Sequence, residues 1–149
     1  MAFKTIVLKG DPLQKELKAD AAITPGMLLE RTTTGIKKHA TAGGDVRPTL
    51  FAIENSLEGQ EIGTDFAAAD MCQFVAARPG DEIFALLADD ETITVGERLE
   101  SHGDGMLKAY AVASGEPDYY DRIVGVALEA VDTSSSTYEA GTRIHIEVA

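Results

Sequence analysis

The sharpest periodicity in the chain is at its end: over residues 142–148, Ile144, Ile146 and Val148 alternate with Arg143, His145 and Glu147. A period of two is that of a strand with one buried and one wet face. Residues 122–131 form a β-branched run, apolar on both faces apart from Glu129, as in a central or interface-facing strand. The intervening residues 132–141 lack periodicity and are rich in Ser and Thr. Together these segments predict a carboxy-terminal hairpin with a long, mobile tip.

The middle of the chain repeats turn then strand. Ala69-Asp70 leads into a strand at 71–78, Pro79-Gly80-Asp81 into one at 82–88, and Val95-Gly96-Glu97 into one at 98–101. Pro79-Gly80 is a strong turn signal, because proline presets φ at the first central position and glycine accepts positive φ at the next. His102-Gly103-Asp104-Gly105 is a tight connection that joins 98–101 to 106–112 as a hairpin.

The amino-terminal third is less regular, with a short strand at 5–9, a turn at Ile23-Thr24-Pro25-Gly26 and a strand at 27–31. Asp11-Pro12 either caps a short helix carrying Leu13 and Leu17 on one face or precedes an extended edge. Residues 32–48, rich in Thr, Gly and Lys, are expected to be a solvent-facing, mobile hairpin and loop without apolar anchors, and 55–65 a polar loop. No boundary or linker interrupts the chain. Short strands at intervals of about ten residues predict an all-β fold: one small β-barrel or β-sandwich-like domain over 1–149, with long loops and little helix.

Composition narrows the picture. A 149-residue chain buries roughly two-thirds of its unfolded surface in one domain, and 44% apolar content argues against disorder. Cys72 is the single cysteine, so no internal disulfide forms. Lying in an apolar strand pattern, it reads as an inert core or interface thiol in a reducing cytosol. No apolar stretch reaches the length of a membrane span, and residues 1–4 are followed by no signal-peptide core, so neither membrane insertion nor secretion by that route is expected. Thirteen basic residues against 25 acidic give a net charge of -12, which keeps a concentrated protein soluble and repels phosphate backbones. Direct nucleic-acid binding is not expected.

Candidate chemistry is sparse. His39, His102 and His145 are scattered singly, with no HExxH motif, paired cysteines or acidic calcium loop. His102, at a turn, and His145, on the outward face of a strand, read as surface residues. Asp89-Asp90-Glu91 reads as a solvated turn. Ser114 lies in Ala-Ser-Gly and not in a GxSxG elbow. Gly43-Gly44 lacks the Lys-Ser/Thr of a phosphate loop. No catalytic, metal or cofactor-binding residue is assigned, no cofactor is expected, and the chain is not read as an enzyme.

Several blocks are nonetheless distinctive in their order: Ile6-Val-Leu-Lys-Gly-Asp-Pro12, Ala22-Ile-Thr-Pro-Gly-Met-Leu28, Ala69-Asp70, Ala77-Arg-Pro-Gly-Asp-Glu-Ile-Phe-Ala-Leu-Leu87, Val95-Gly-Glu-Arg-Leu-Glu-Ser-His-Gly-Asp-Gly-Met-Leu-Lys108, Ile123-Val-Gly-Val-Ala-Leu-Glu-Ala130 and Gly141-Thr-Arg-Ile-His-Ile-Glu-Val148. They resemble the capsid cement (decoration, head-stabilising) proteins of tailed bacteriophages and prophages. Residues 111–121 and 134–140 match no pattern of that family. The resemblance implies a viral structural protein, made in the bacterial host cytoplasm and carried on the outer surface of the virion capsid. There it clamps neighbouring major capsid protein subunits, as a symmetric homo-oligomer with a trimer favoured and a dimer possible. The rival readings are a free-standing or tail-associated β-barrel adaptor and a small β-fold enzyme.

Two sets of residues are singled out on this reading. Phe3, Lys4, Ile6, Leu8 and Lys9, within an amino-terminal segment 1–12, are candidate capsid contacts: an apolar strip between two positive charges that adds as an edge strand to a partner. The equal alternative is that 5–9 is simply the first strand of the domain. Ile83, Phe84, Leu86, Ile123 and Val126 are candidate oligomer contacts, because 82–88 and 123–131 are apolar on both faces and one domain is expected to offer one core.

Overall fold

A computed structural model describes residues 3–112, 114–134 and 142–149. Their strands form three antiparallel sheets. The first runs, edge to edge, β1 (Val7–Lys9), β7 (Glu82–Leu86), β13 (Arg143–Val148), β11 (Gly125–Ala127), β9 (Arg98–Ser101) and β10 (Leu107–Ala109). The second runs β2 (Leu13–Lys18), β6 (Met71–Ala76), β5 (Leu50–Ala52), β3 (Leu28–Arg31) and β4 (Ile36–Lys38). The third is a ribbon of β8 (Thr92–Ile93) with β12 (Val131–Asp132). Helix is limited, among the described residues, to single 3-10 turns at Ser56–Glu58 and Tyr120–Arg122. The expected all-β class holds, but no barrel closes. Isolated bridges Ala19–Ile36 and Leu87–Leu107 draw the curled sheets towards closure without completing it.

Two hydrophobic cores, not one, organise these sheets. Leu28, Phe51 and Val75 of the five-stranded sheet join Ile83, Ala85, Leu99, Ile144 and Ile146 of the six-stranded sheet in the larger core. Leu29, Leu50, Ala52, Cys72 and Phe74, out of phase with them on the same strands, point the other way, into a second core with Ile23, Ile36 and Phe66. Alternation into two buried faces is why residues 50–53 are apolar without a break. β7 behaves likewise: Ile83 and Ala85 enter the first core, Leu86 enters the second, and Phe84 packs against Phe3.

This arrangement corrects several expectations. Residues 11–17 do not form a helix; β2 takes the extended alternative and pairs with β6 in register from Leu13 opposite Ala76 to Lys18 opposite Met71. The run 122–131 is not one strand. After β11 the chain leaves the sheet, the Glu129 carboxylate accepts the His145 amide N–H at 2.9 Å, and the chain resumes as β12 beside β8. Residues 32–48 are largely solvent-facing as expected, but they do not lack apolar anchors. Ile36 and Val46 are buried, and His39, 4% exposed, bonds the Ser101 hydroxyl at 2.7 Å and the Asp45 carbonyl at 3.0 Å. The start of the next loop is packed too. The Thr133 hydroxyl donates to the Ala88 carbonyl at 2.7 Å and accepts from the Glu91 N–H at 2.9 Å. The loop tip, 135–141, lies outside the described residues.

At the turn that opens β4, the hydroxyls of Thr32 and Thr34 donate to Asp20. They hold its carboxyl below the ordinary carboxylate range, with a smaller contribution from the nearby charges of Lys18 and Lys37.

Two substitutions test the packing. Phe51→Ala, in the larger core, is expected to cost roughly 3–5 kcal/mol in chemical denaturation, against a few tenths for exposed Leu57→Ala. His39→Ala is expected to cost about 1–3 kcal/mol by leaving buried polar partners unsatisfied; a neutral result would mean that 32–48 is not anchored through this side chain.

Candidate functional site

The two strands nearest the amino terminus both lie at sheet edges, β1 on the six-stranded sheet and β2 on the five-stranded one. Gly10-Asp11-Pro12 carries the chain from one edge to the other. Gly10 has φ of 102°, and a Cβ there would sit 2.1 Å from Asp81 Oδ1, so both conformation and space demand glycine. Asp81 is buried and accepts the Arg78 backbone N–H at 2.8 Å, while the Arg78 guanidinium donates to the Asp11 carbonyl at 2.7 Å. The Pro79-Gly80 turn read from the sequence therefore also clamps the link between β1 and β2.

Within β1 and its approach the candidate contact residues separate by burial. Ile6 is fully buried in the larger core. Its amide donates to the Glu54 carboxylate at 3.1 Å and its carbonyl accepts from Phe84 N–H at 2.8 Å. It is a core residue and cannot reach a partner, so 5–9 is the first strand of the domain and not a free strip. Phe3 and Leu8 are half-buried, and Lys4 and Lys9 are exposed. The Phe3 ring meets Phe84 edge-on at 5.2 Å and His145 at 5.5 Å. His145 is correspondingly half-buried, with Nε2 2.6 Å from Glu82 Oε1, and is not the free surface residue its alternation implied. His102 is exposed and pairs with Asp104 at 3.1 Å.

The flank over residues 3–18 carries Lys4, Lys9, Lys15 and Lys18 against Asp11 and Glu16, a balance of +2 in a chain whose total is -12. It combines the opposite charge sign with two sheet edges, both of them features through which a surface can meet a partner.

The candidate oligomer contacts fare differently. Ile83, Leu86 and Ile123 are buried inside the protomer, leaving only Phe84 and Val126 half-buried. Strands apolar on both faces therefore do not require a symmetric oligomer, because the second core covers their second face; the oligomer that the family resemblance implies does not depend on them.

Elsewhere the chemistry is structural. Cys72 is buried, and desolvation pushes its thiol up to about 12, so it carries negligible thiolate at neutral pH. Glu91 of the acidic run accepts the Ala109 N–H at 3.1 Å, and Asp90 takes φ of 60° in the turn. Among the described residues no group of three or more His, Cys, Asp or Glu is placed to hold a metal ion. What the sequence reading missed is the exposure of β2: five of its six side chains face solvent. The signal was present in Leu-Gln-Lys-Glu-Leu-Lys, in which no pair of adjacent positions is apolar.

A chain starting at Leu13 is expected to unfold, because it loses Ile6 from the core and β1 from β7. Phe3→Ala is expected to stay folded and lose only about 0.5–1.5 kcal/mol of aromatic contact beyond its area. Circular dichroism and thermal melts of the two variants separate a core strand from a detachable arm.

No protein-family model matches this chain, and no curated protein sequence matches it. Among solved structures it is similar to the head fiber gp8.5 N base of bacteriophage phi29, with a TM-score of 0.52 and 13% sequence identity over 92% of this chain and 93% of that one. At this identity the likeness is one of fold, and it extends over nearly the whole of both chains.

Proposed function

We propose that the chain is a structural protein of a phage head that binds the exterior of the mature icosahedral capsid and stabilises it by bridging neighbouring major capsid protein subunits. The observation that carries this reading is the likeness of fold, across 92% of the chain, to a bacteriophage head fiber base. It adds to the ordered sequence blocks that resemble capsid cement proteins. The charge favours the outer surface: inside, a chain at -12 would face densely packed phosphates and be repelled. A ligand that binds the assembled shell and not its separated subunits stabilises assembly by mass action, with no pocket or reactive group. Many weak contacts, repeated by symmetry, suffice for that role.

On this reading Lys4 and Lys9 meet acidic groups on the shell, and Phe3 and Leu8 supply the apolar part of the contact. The purified chain should co-sediment with expanded, mature shells and raise their resistance to heat or chelators. The double variant Lys4→Glu, Lys9→Glu should remain folded and bind on the order of tenfold or more weakly at low salt, the gap narrowing as salt rises. Binding to tails but not heads, or no binding to either, would remove the proposal.

A further inference from the structure

β2 presents an open sheet edge. One side pairs along its length with β6. Among the described residues the other side is met at its end, where Gly35 packs against the Lys18 carbonyl and Ala19 bridges Ile36, which leaves 13–17 open. Leu13, at its start, is 62% exposed. Such an edge offers main-chain donors and acceptors to any extended segment that approaches it.

A second copy of this chain is a poor occupant. Antiparallel pairing about a two-fold axis normal to the sheet keeps each side chain on its own face only when the paired residue numbers sum to an even value. The registers that use most of β2 centre on Lys15 or on Glu16, so they set lysine against lysine or glutamate against glutamate. Like charges directly opposite are destabilising, and charged edges of this kind are how sheets avoid self-association.

The face of β2 that carries Glu16 borders a groove of about 370 Å³. Glu16 lies opposite Gln73 of β6, whose amide donates to it at 2.8 Å. Glu58, Asp65 and Asp70 complete a set of four carboxylates in the groove lining, which holds no lysine or arginine. Leu57, 80% exposed, and half-exposed Met71 provide apolar flanks. Asn55 Oδ1, also in the lining, is buried and accepts no hydrogen bond, a polar atom still in need of a donor. By alternation Gln14 and Lys18 share the face of Glu16, Lys18 at its far end opposite Met71, and Leu13, Lys15 and Leu17 lie on the opposite face.

We propose that the β2 edge receives an extended segment of another protein by strand addition. Its lysine or arginine side chains, at every second position, enter the acidic groove, and the apolar side chains between them cover Leu13 and Leu17. Main-chain pairing supplies affinity and the charged groove supplies register and specificity. This holds whether the partner is a shell subunit or another protein, so it stands apart from the head-binding proposal.

The test selects binders to the full-length chain from a displayed library of random peptides, then follows a selected peptide in synthetic form. Enrichment of Lys or Arg at alternating positions is expected, together with slowed amide exchange at 13–17 on binding. Glu58→Lys, at an exposed position, should leave the thermal melt unchanged and weaken binding several-fold to about tenfold. Enriched peptides without the basic alternation would overturn the proposal, as would binders that leave exchange at 13–17 unchanged. Protection of 13–17 that grows with protein concentration alone, matched by dimers in sedimentation, would show that a second copy takes the edge instead.

Discussion

The constraint on which the rest of this structure depends is that a chain almost without helix among its described residues must cover both faces of its five-stranded sheet with strands and loops of its own. β5 shows it most directly: Leu50 and Ala52 are buried in one core and Phe51 in the other. The six-stranded sheet covers one face. The other is covered by the curl of the sheet itself and by segments outside regular strands, including Ile23 and Phe66, which bond each other's backbone at 3.0 and 2.8 Å. This is why the Thr- and Gly-rich stretch 32–48 is packed: without Ile36, Val46 and His39 in place, the cores would lie open.

Self-coverage also sets where the molecule can act. With both faces of β7 largely occupied internally, little of its apolar surface is left over for partners, and recognition falls mainly to edges and charge. The amino-terminal flank offers both. β1 is held in the domain by Ile6 and by the clamp of Arg78 and Asp81 on Gly10-Asp11, while Lys4 and Lys9 remain exposed. β2 continues the same flank with an open edge beside an acidic groove. A rigid, edge-presenting scaffold of this kind suits a protein whose work is to bind, because contacts placed on strands keep their geometry better than contacts on loops.

Local patterning was legible where the chain repeats with the period of a half-buried strand. The alternation of Ile144, Ile146 and Val148, the Pro79-Gly80 turn and the connection 102–105 between β9 and β10 all appear as read. What escaped the sequence depends on partners far along the chain. At the break after β11 the Glu129 side chain, and not the backbone, meets the His145 N–H. The anchoring of 32–48 follows from single apolar residues and from His39 meeting Ser101. The misplaced oligomer contacts, Ile83, Leu86 and Ile123, share one cause: a strand apolar on both faces looks the same whether its second face meets another subunit or a second core. At the candidate site, the charge of Lys4 and Lys9 was readable, but the burial of Ile6 was not, because it depends on pairing with β7.

We propose that this chain decorates the outside of a phage head through its amino-terminal flank. The decisive measurement is a cryo-EM map of mature particles of the phage that encodes it. Density for this fold is expected on the outer shell surface, bridging capsid subunits, with Lys4 and Lys9 turned towards them. Density for it inside the shell, on the tail, or on the head with this flank facing solvent would contradict it.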